Sequence, residues 1–263
     1  MTASTTALAV ITARNEAQFL QVLIPELIAE GFELVIIDHA SRDETRSIAE
    51  EYLGAGVLEV VSQQWTGHFS LSRQLRMKAD VMQRYAHSWL AHFDADEWPR
   101  STSHATLGAL LAELEGGPYR VVNFDEFVFV PHLGFDALGT DFRHTLTGYY
   151  FFEPAPARLQ RIWHRSLGFD IATASGHQVT ADTSLIWPDA QQLRHYVGLS
   201  QSAAITKRAN RDYPDEEIAL GWHHNRLTMT STPFERSDHL RRAEPWDCRH
   251  LDRSQPWGTH FWQ

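Results

Sequence analysis

The sequence predicts an α/β fold with a mainly parallel central sheet and helices on both of its faces. Three observations carry this. Short apolar, β-branched runs recur along the first part of the chain, at Ala7–Ala13, Leu34–Ile37, Val57–Val61 and Trp89–Phe93. Segments with apolar residues at helical spacing separate them. The connections are short, and strand–helix–strand alternation of this kind implies right-handed crossovers that cover the sheet from both sides.

Each element follows from its residues. The first run breaks at Arg14-Asn15-Glu16, after which Phe19, Leu20, Leu23, Ile24, Leu27 and Ile28 mark one face of an amphipathic helix. The second strand ends in the polar stretch from Asp38 to Thr45, and a helix follows through Ile48, Ala49 and Tyr52. The third strand precedes a helix from Leu71 to Tyr85, and the fourth, Trp89–Phe93, closes in Asp94-Ala95-Asp96-Glu97. Tyr119–Phe124 reads as a further strand. From Pro131 to Ala157 the chain is rich in glycine, proline and aromatics, including Tyr149-Tyr150-Phe151-Phe152. It reads as a long loop excursion, either an acceptor lid or a packed anchor. From about Arg241 onward, Trp246, Trp257 and Trp262 stand among charges with neither helical nor strand period.

The acidic triplet after the fourth strand carries the chemistry. Carboxylates at the carboxyl end of a parallel strand face the crevice where open α/β sheets bind ligands. Two hard oxygen donors there suit Mg²⁺ or Mn²⁺ holding a phosphorylated substrate. A nucleotide-diphosphate site is the first reading; acidic residues that cap helices and fill turns are the commoner use of such a triplet alone.

Composition narrows the field. A chain of 263 residues with 43% hydrophobic content is long enough to bury one substantial core. A net charge of −10 argues against a nucleic-acid partner, whose phosphates require a basic surface. Cys248 is the single cysteine, so no internal disulfide forms, which favours a reducing compartment such as the cytoplasm. No stretch approaches the roughly 20 apolar residues of a membrane span.

Four segments taken together resemble a known family. Thr12-Ala13-Arg14-Asn15-Glu16, Ile37–Thr45, Gly67 through Ser72-Arg73-Gln74, and Phe93–Glu97 are similar, in order and spacing, to landmarks of the family 2 glycosyltransferases with the GT-A fold. His195-Tyr196 and Lys207 resemble the downstream His-Tyr and Lys of a shorter bacterial branch. The resemblance implies one GT-A domain over residues 1–240, with a nucleotide-sugar half at 1–100 and an acceptor half at 101–240. Residues 241–263 would be a tail or lid. It implies a cytoplasmic bacterial enzyme that moves a sugar from a nucleotide-diphosphate sugar to a glycan, lipid-linked or small-molecule acceptor, with Mn²⁺ or Mg²⁺. Two other classes use the same carboxylates or fold: a nucleotidyltransferase or metal-dependent phosphohydrolase, and a catalytically silent carbohydrate-binding relative.

The resemblance also implies roles. Ala13, Arg14, Asn15 and Glu16 of the first loop, with Asp38 and Ser41 of the second, would hold the nucleoside; a carboxylate accepts hydrogen bonds from a base N–H or ribose hydroxyl. Where the family usually has a second acid and a glycine, this chain has His39 and Ala40. Arg73 would bind phosphate or stack on the base, the alternative being an exposed arginine on a basic face with Arg76 and Lys78. Asp94 would contact ribose or metal-bound water, and Asp96 the metal, with His195 as its imidazole partner and Lys207 at the substrate. His177 is a candidate for acceptor or phosphate contact. Most of the 15 histidines, His223 and His224 among them, read as surface or core residues. An inverting transferase also needs a general base. Asp125 is the candidate, beside Glu126 after a strand-like run, with Asp170 and Asp182 as rivals; Glu97 is either that base or a partner steadying Asp96.

Overall fold

The computed structural model describes residues 7–131, 134–153, 159–172, 175–209, 212–220, 222 and 240–260. β1 (Ala7–Ala13), α1 (Ala17–Ala29), β2 (Phe32–Asp38), α2 (Thr45–Glu51), β3 (Val57–Ser62), α3 (Leu71–Gln83) and β4 (Trp89–Asp94) follow one another as the sequence predicts. β3, β2, β1 and β4 lie side by side, and every pairing among them is parallel. The chain steps outward from β1 to β3, and α3 then carries it back to the other side of β1. Strand order therefore reverses at β1. The carboxyl ends there are in register, with Ala13 opposite Asp38 and Thr12 opposite Asp94.

β1 shows why both faces need helices. Ala7, Ala9, Ile11 and Ala13 pack with Phe19, Leu20 and Leu23 of α1 and with Leu110 and Leu111 of α4 (Leu107–Leu114). Leu8 and Val10 pack with Leu75, Val81 and Met82 of α3. Successive strand side chains point to opposite faces, so a strand apolar throughout is stable only when covered twice. No described helix is long and apolar enough to cross a membrane.

The second half adds antiparallel strands. β8 (Gln160–His164) pairs with β4, and β6 (Val121–Phe129) with β8, both antiparallel. The register of β6 shifts between Val122 and Asn123; beyond the shift it runs parallel to β9 (Gln191–Tyr196), which pairs antiparallel with β5 (Glu97–Arg100). β6 thus belongs to both layers.

Two expectations are corrected here. Tyr149, Tyr150, Phe151 and Phe152 are all buried. They form and follow β7 (Gly148–Phe151), which pairs with β6 after the short α5 (Phe142–Thr145), so they are sheet rather than lid. An aromatic run whose alternate residues face two packed layers is a buried strand, and its glycine- and proline-rich flanks disguised it. The segment after Arg241 is likewise packed. β10 (Arg241–Arg242) pairs with β7, Trp257 stacks on Tyr150 with ring centroids 4.4 Å apart, and Arg194 donates to the Trp246 and Cys248 carbonyl oxygens.

Candidate active site

A cleft of about 1010 Å³ opens at the carboxyl ends of β1 and β4. Ligand sites span roughly 300–1,000 Å³, so this one is at the upper end and has room for two substrates. Of the predicted residues, Ala13, Arg14, Asn15, Glu16, Asp94, Asp96, His177, His195 and Lys207 line it.

One end is built by two loops laced together. The Asn15 amide donates to Ser41 Oγ (3.0 Å), the Arg42 amide to Asn15 Oδ1 (2.8 Å), the Glu16 amide to Thr45 Oγ1 (2.7 Å) and the Ala17 amide to Asp43 Oδ2 (3.2 Å). Asn15 and Ala40 sit in the left-handed region, at φ 54° and 52°. Asp38 is buried and its Oδ1 accepts from the Ser41 amide (3.1 Å), so it shapes the turn. Asp38 and Ser41 stand just behind the lining. Arg14 donates to the carbonyl oxygens of His39 (2.6 Å) and Ala40 (2.7 Å), with its guanidinium 4.0 Å over the Trp65 ring. His39 lies 5.1 Å from Trp65, ring centre to ring centre.

The floor concentrates charge. β5 pairs with β9 so that Glu97 faces His195, and the Tyr196 amide donates to the Asp96 carbonyl oxygen (2.8 Å). That register brings His195 Nε2 to 3.9 Å from Asp96 Oδ2, while its Nδ1 lies 2.8 Å from Glu126 Oε1. Lys207, on α6 (Gln201–Ala209), reaches the same Asp96 Oδ2 at 3.0 Å and Glu16 Oε1 at 2.6 Å. Lys78 of α3 is buried, donates to the Phe93 carbonyl oxygen (2.9 Å), and lies 3.4 Å from Asp94 Oδ1. Arg161 of β8 pairs with Glu97, donates to the Gly176 carbonyl oxygen (2.7 Å), and lies 3.2 Å from His92 Nε2.

These contacts set the ionisation of the floor. Asp94 keeps 55% of its side chain accessible, so its partial desolvation is outweighed by Lys78, Arg161, His92 and His195, which hold the carboxyl well below its ordinary value. At Asp96 burial again opposes the charge, and Lys207 and His195 overcome it. Burial lowers Lys78. Burial pushes Glu97 up to about 7 against the pull of Arg161.

Several predicted residues are placed elsewhere. Glu97 is buried, with one carboxylate oxygen on Arg161 and the other accepting from the Asp94 amide (3.1 Å), so it holds the acidic turn and does not face an acceptor. Asp125 lies off the cleft, buried and ion-paired to Arg253 at 2.7 Å. Its neighbour Glu126, on the other face of β6, is the one that reaches His195. Arg73 is exposed outside the cleft, whereas Leu71, Gln74, Leu75 and Lys78 of the same helix line it. Asp170 and Asp182 accept from nearby amides, of Ala172 and Ser184. His223 and His224 lie outside the described residues.

Sequence reasoning missed Lys78, Arg161 and Trp65, and it preferred Asp125 to its neighbour Glu126. The spacing Leu71, Leu75, Lys78, Met82 puts Lys78 on the apolar face of its helix, which was a usable signal. Arg161 carried none, because its partners Glu97 and Gly176 are remote in sequence.

The model of the family described as "Glycosyl transferase family 2" matches residues 8–181. The chain belongs to that family, and its α/β architecture is the GT-A type that the sequence resemblance implied. Curated proteins include no match to it. Among solved structures, S. aureus TarS 1-349 in complex with UDP-GlcNAc is similar at a TM-score of 0.43 and 13% identity, over 73% of this chain and 58% of that one. S. aureus TarS gives 0.42 and 13%, over 84% and 43%. TarS 1-349 in complex with UDP gives 0.44 and 12%, over 81% and 68%. The chain therefore spans 58% and 43% of the first two, and the assignment rests on the family match.

Proposed function

We propose that this glycosyltransferase takes a sugar from a nucleotide-diphosphate sugar and passes it to an acceptor hydroxyl in the cleft. The observation that carries the reading is the floor itself, where Glu16, Asp94 and Asp96 meet Lys78, Arg161 and Lys207 at the ends of the parallel strands. Breaking the bond between sugar and diphosphate puts negative charge on the leaving oxygens, and positive charge brought to them lowers the barrier. Lys207 reaches both Glu16 and Asp96. Arg14, His39 and Trp65 take the nucleoside end, with Asp38 and Ser41 holding the turn behind them. Leu138, Val197, Leu199 and Ala203 form an apolar wall for the acceptor, be it a glycan, a lipid-linked chain or a small molecule.

The donor set fits Mn²⁺ or Mg²⁺. Glu126 fixes the His195 ring through Nδ1 and leaves Nε2 turned to Asp96, the usual outer support of a ligating histidine. Cis ligands of an octahedral ion with bonds of about 2.1 Å lie roughly 3 Å apart, so Asp96 and His195, now 3.9 Å apart, would close by about 1 Å on an ion. Among the described residues no group of three or more His, Cys, Asp or Glu could hold an ion; an ion held by Asp96 and His195 would need phosphate oxygens and water for the rest of its shell. A divalent ion there supplies Lewis-acid stabilisation of the leaving diphosphate. The lone, half-buried Cys248 supports a reducing, cytoplasmic setting.

Melting curves with nucleoside mono-, di- and triphosphates, with and without Mn²⁺, test this. One diphosphate should raise Tm, and more so with Mn²⁺. No response to any diphosphate would overturn the reading.

A further inference from the structure

We propose that Lys207 is a mobile counter-ion that guards Asp96. With no donor bound it occupies the carboxylate oxygen a divalent cation needs, and a diphosphate draws it away, so that cation and diphosphate bind cooperatively. The inference rests on the reading of Asp96 as the metal-facing acid.

The geometry at Asp96 Oδ2 carries the argument. That single atom is 3.0 Å from Lys207 Nζ and 3.9 Å from His195 Nε2. A divalent ion shared by Asp96 and His195 would lie about 2.1 Å from Oδ2. The ammonium would then stand within a few ångströms of it, two like charges on one acceptor. Either the ion stays weakly bound or the ammonium moves.

Lys207 is built to move without leaving the cleft. Ala203, Thr206 and Lys207 line the cleft from one face of α6, as their spacing dictates. The side chain is 23% accessible, and its Nζ lies 5.6 Å from the Phe19 ring centre, so the charged end is partly open to the cleft. The second contact, to Glu16 Oε1 at 2.6 Å, retains the amine near the first loop when Asp96 lets go. A diphosphate arriving between Asp96 and Arg14 offers oxygens that the ammonium pairs with instead. The charges close in the filled site: the cation takes Asp96, the amine takes phosphate.

Lys78 does not share this role. It is buried and tied to a backbone carbonyl oxygen, so it stays in place whatever binds.

The test counts bound Mn²⁺ on the full chain, by electron paramagnetic resonance of the free ion, for wild type, Lys207→Met and Lys207→Gln, each with and without inorganic pyrophosphate. Without pyrophosphate, the neutral variants should bind Mn²⁺ on the order of tenfold more tightly than wild type. Pyrophosphate should raise the wild-type affinity by a larger factor than it raises theirs, and Lys207→Arg should restore the weak binding and the large gain. Equal Mn²⁺ affinity in wild type and both neutral variants, or an equal pyrophosphate gain in all, would overturn the proposal. Asp96→Asn separates the two levels. Mn²⁺ binding that survives it places the ion elsewhere and overturns the metal reading, and the proposal for Lys207 with it.

Discussion

At Arg161 one guanidinium meets Glu97, the Gly176 carbonyl oxygen and His92, all inside the fold. Through Glu97 it steadies the amide of Asp94, and through Gly176 it fixes the loop that carries His177. Removing one partner of a buried ion pair leaves the other charged and dry, at a cost of about 3–5 kcal/mol. Arg161→Met should therefore lower the unfolding free energy by about that amount in urea titration. A loss within about 0.5 kcal/mol, the range of ordinary surface changes, would show that water or Lys78 satisfies Glu97 in its place. Legibility at this scale followed the strand ends. Asp94 and Asp96 were singled out by position and His195 and Lys207 by the family resemblance, and the structure brings all four to one floor. Asp125 and Glu126 were not separable, because a one-residue step along a strand reverses the face and nothing in the sequence sets that parity.

Among the elements, the loop after β2 carries an unusual backbone and the start of α3 an unusual cap. Ala40 has φ 52°, in the left-handed region that costs a residue with a Cβ about 1–2 kcal/mol. Ala40→Gly should raise stability by about 0.5–1 kcal/mol once the freer unfolded glycine is subtracted. Thermal unfolding checks the sign, and a fall in Tm would mean that the Ala40 methyl packs usefully. α3 begins under a borrowed cap. Glu217 of α7 (Asp215–Ala219) accepts from Ser70 Oγ (2.8 Å) and from the amides of Leu71 (3.1 Å) and Ser72 (2.8 Å). A carboxylate at a helix N-terminus satisfies amides the helix itself leaves free. Glu217→Ala should cost about 1–3 kcal/mol and loosen the first turn of α3, read as faster amide exchange at Leu71 and Ser72. Unchanged exchange there would contradict it. The first four strands and their helices were legible because each carries its own period and its own stop. β6 was legible only over its first residues, within Tyr119–Phe124, and β7 and β10 were not, since their pairing is set by remote partners.

Across the whole molecule, both halves of the chain meet at the cleft. Arg14, Glu16 and Asp96 come from the first hundred residues; Arg161, His177, His195 and Lys207 come from the later part of the chain. The parallel strands present the acids, and the mixed layer of β5, β6 and β9 returns the histidine and its carboxylate support to them. The described residues from Leu240 to His260 seal the outer side of that layer and line no part of the cleft. The most direct measurement of the central claim is product analysis with a panel of nucleotide-diphosphate sugars and Mn²⁺, on wild type and Asp96→Asn. The account predicts that wild type releases nucleoside diphosphate from at least one donor. It predicts that Asp96→Asn does so at least about a hundredfold more slowly, the scale on which loss of a group stabilising the transition state is felt, while melting near the wild-type temperature. Release of pyrophosphate from triphosphates instead, donor binding without any turnover, or an Asp96→Asn variant as active as wild type would contradict it.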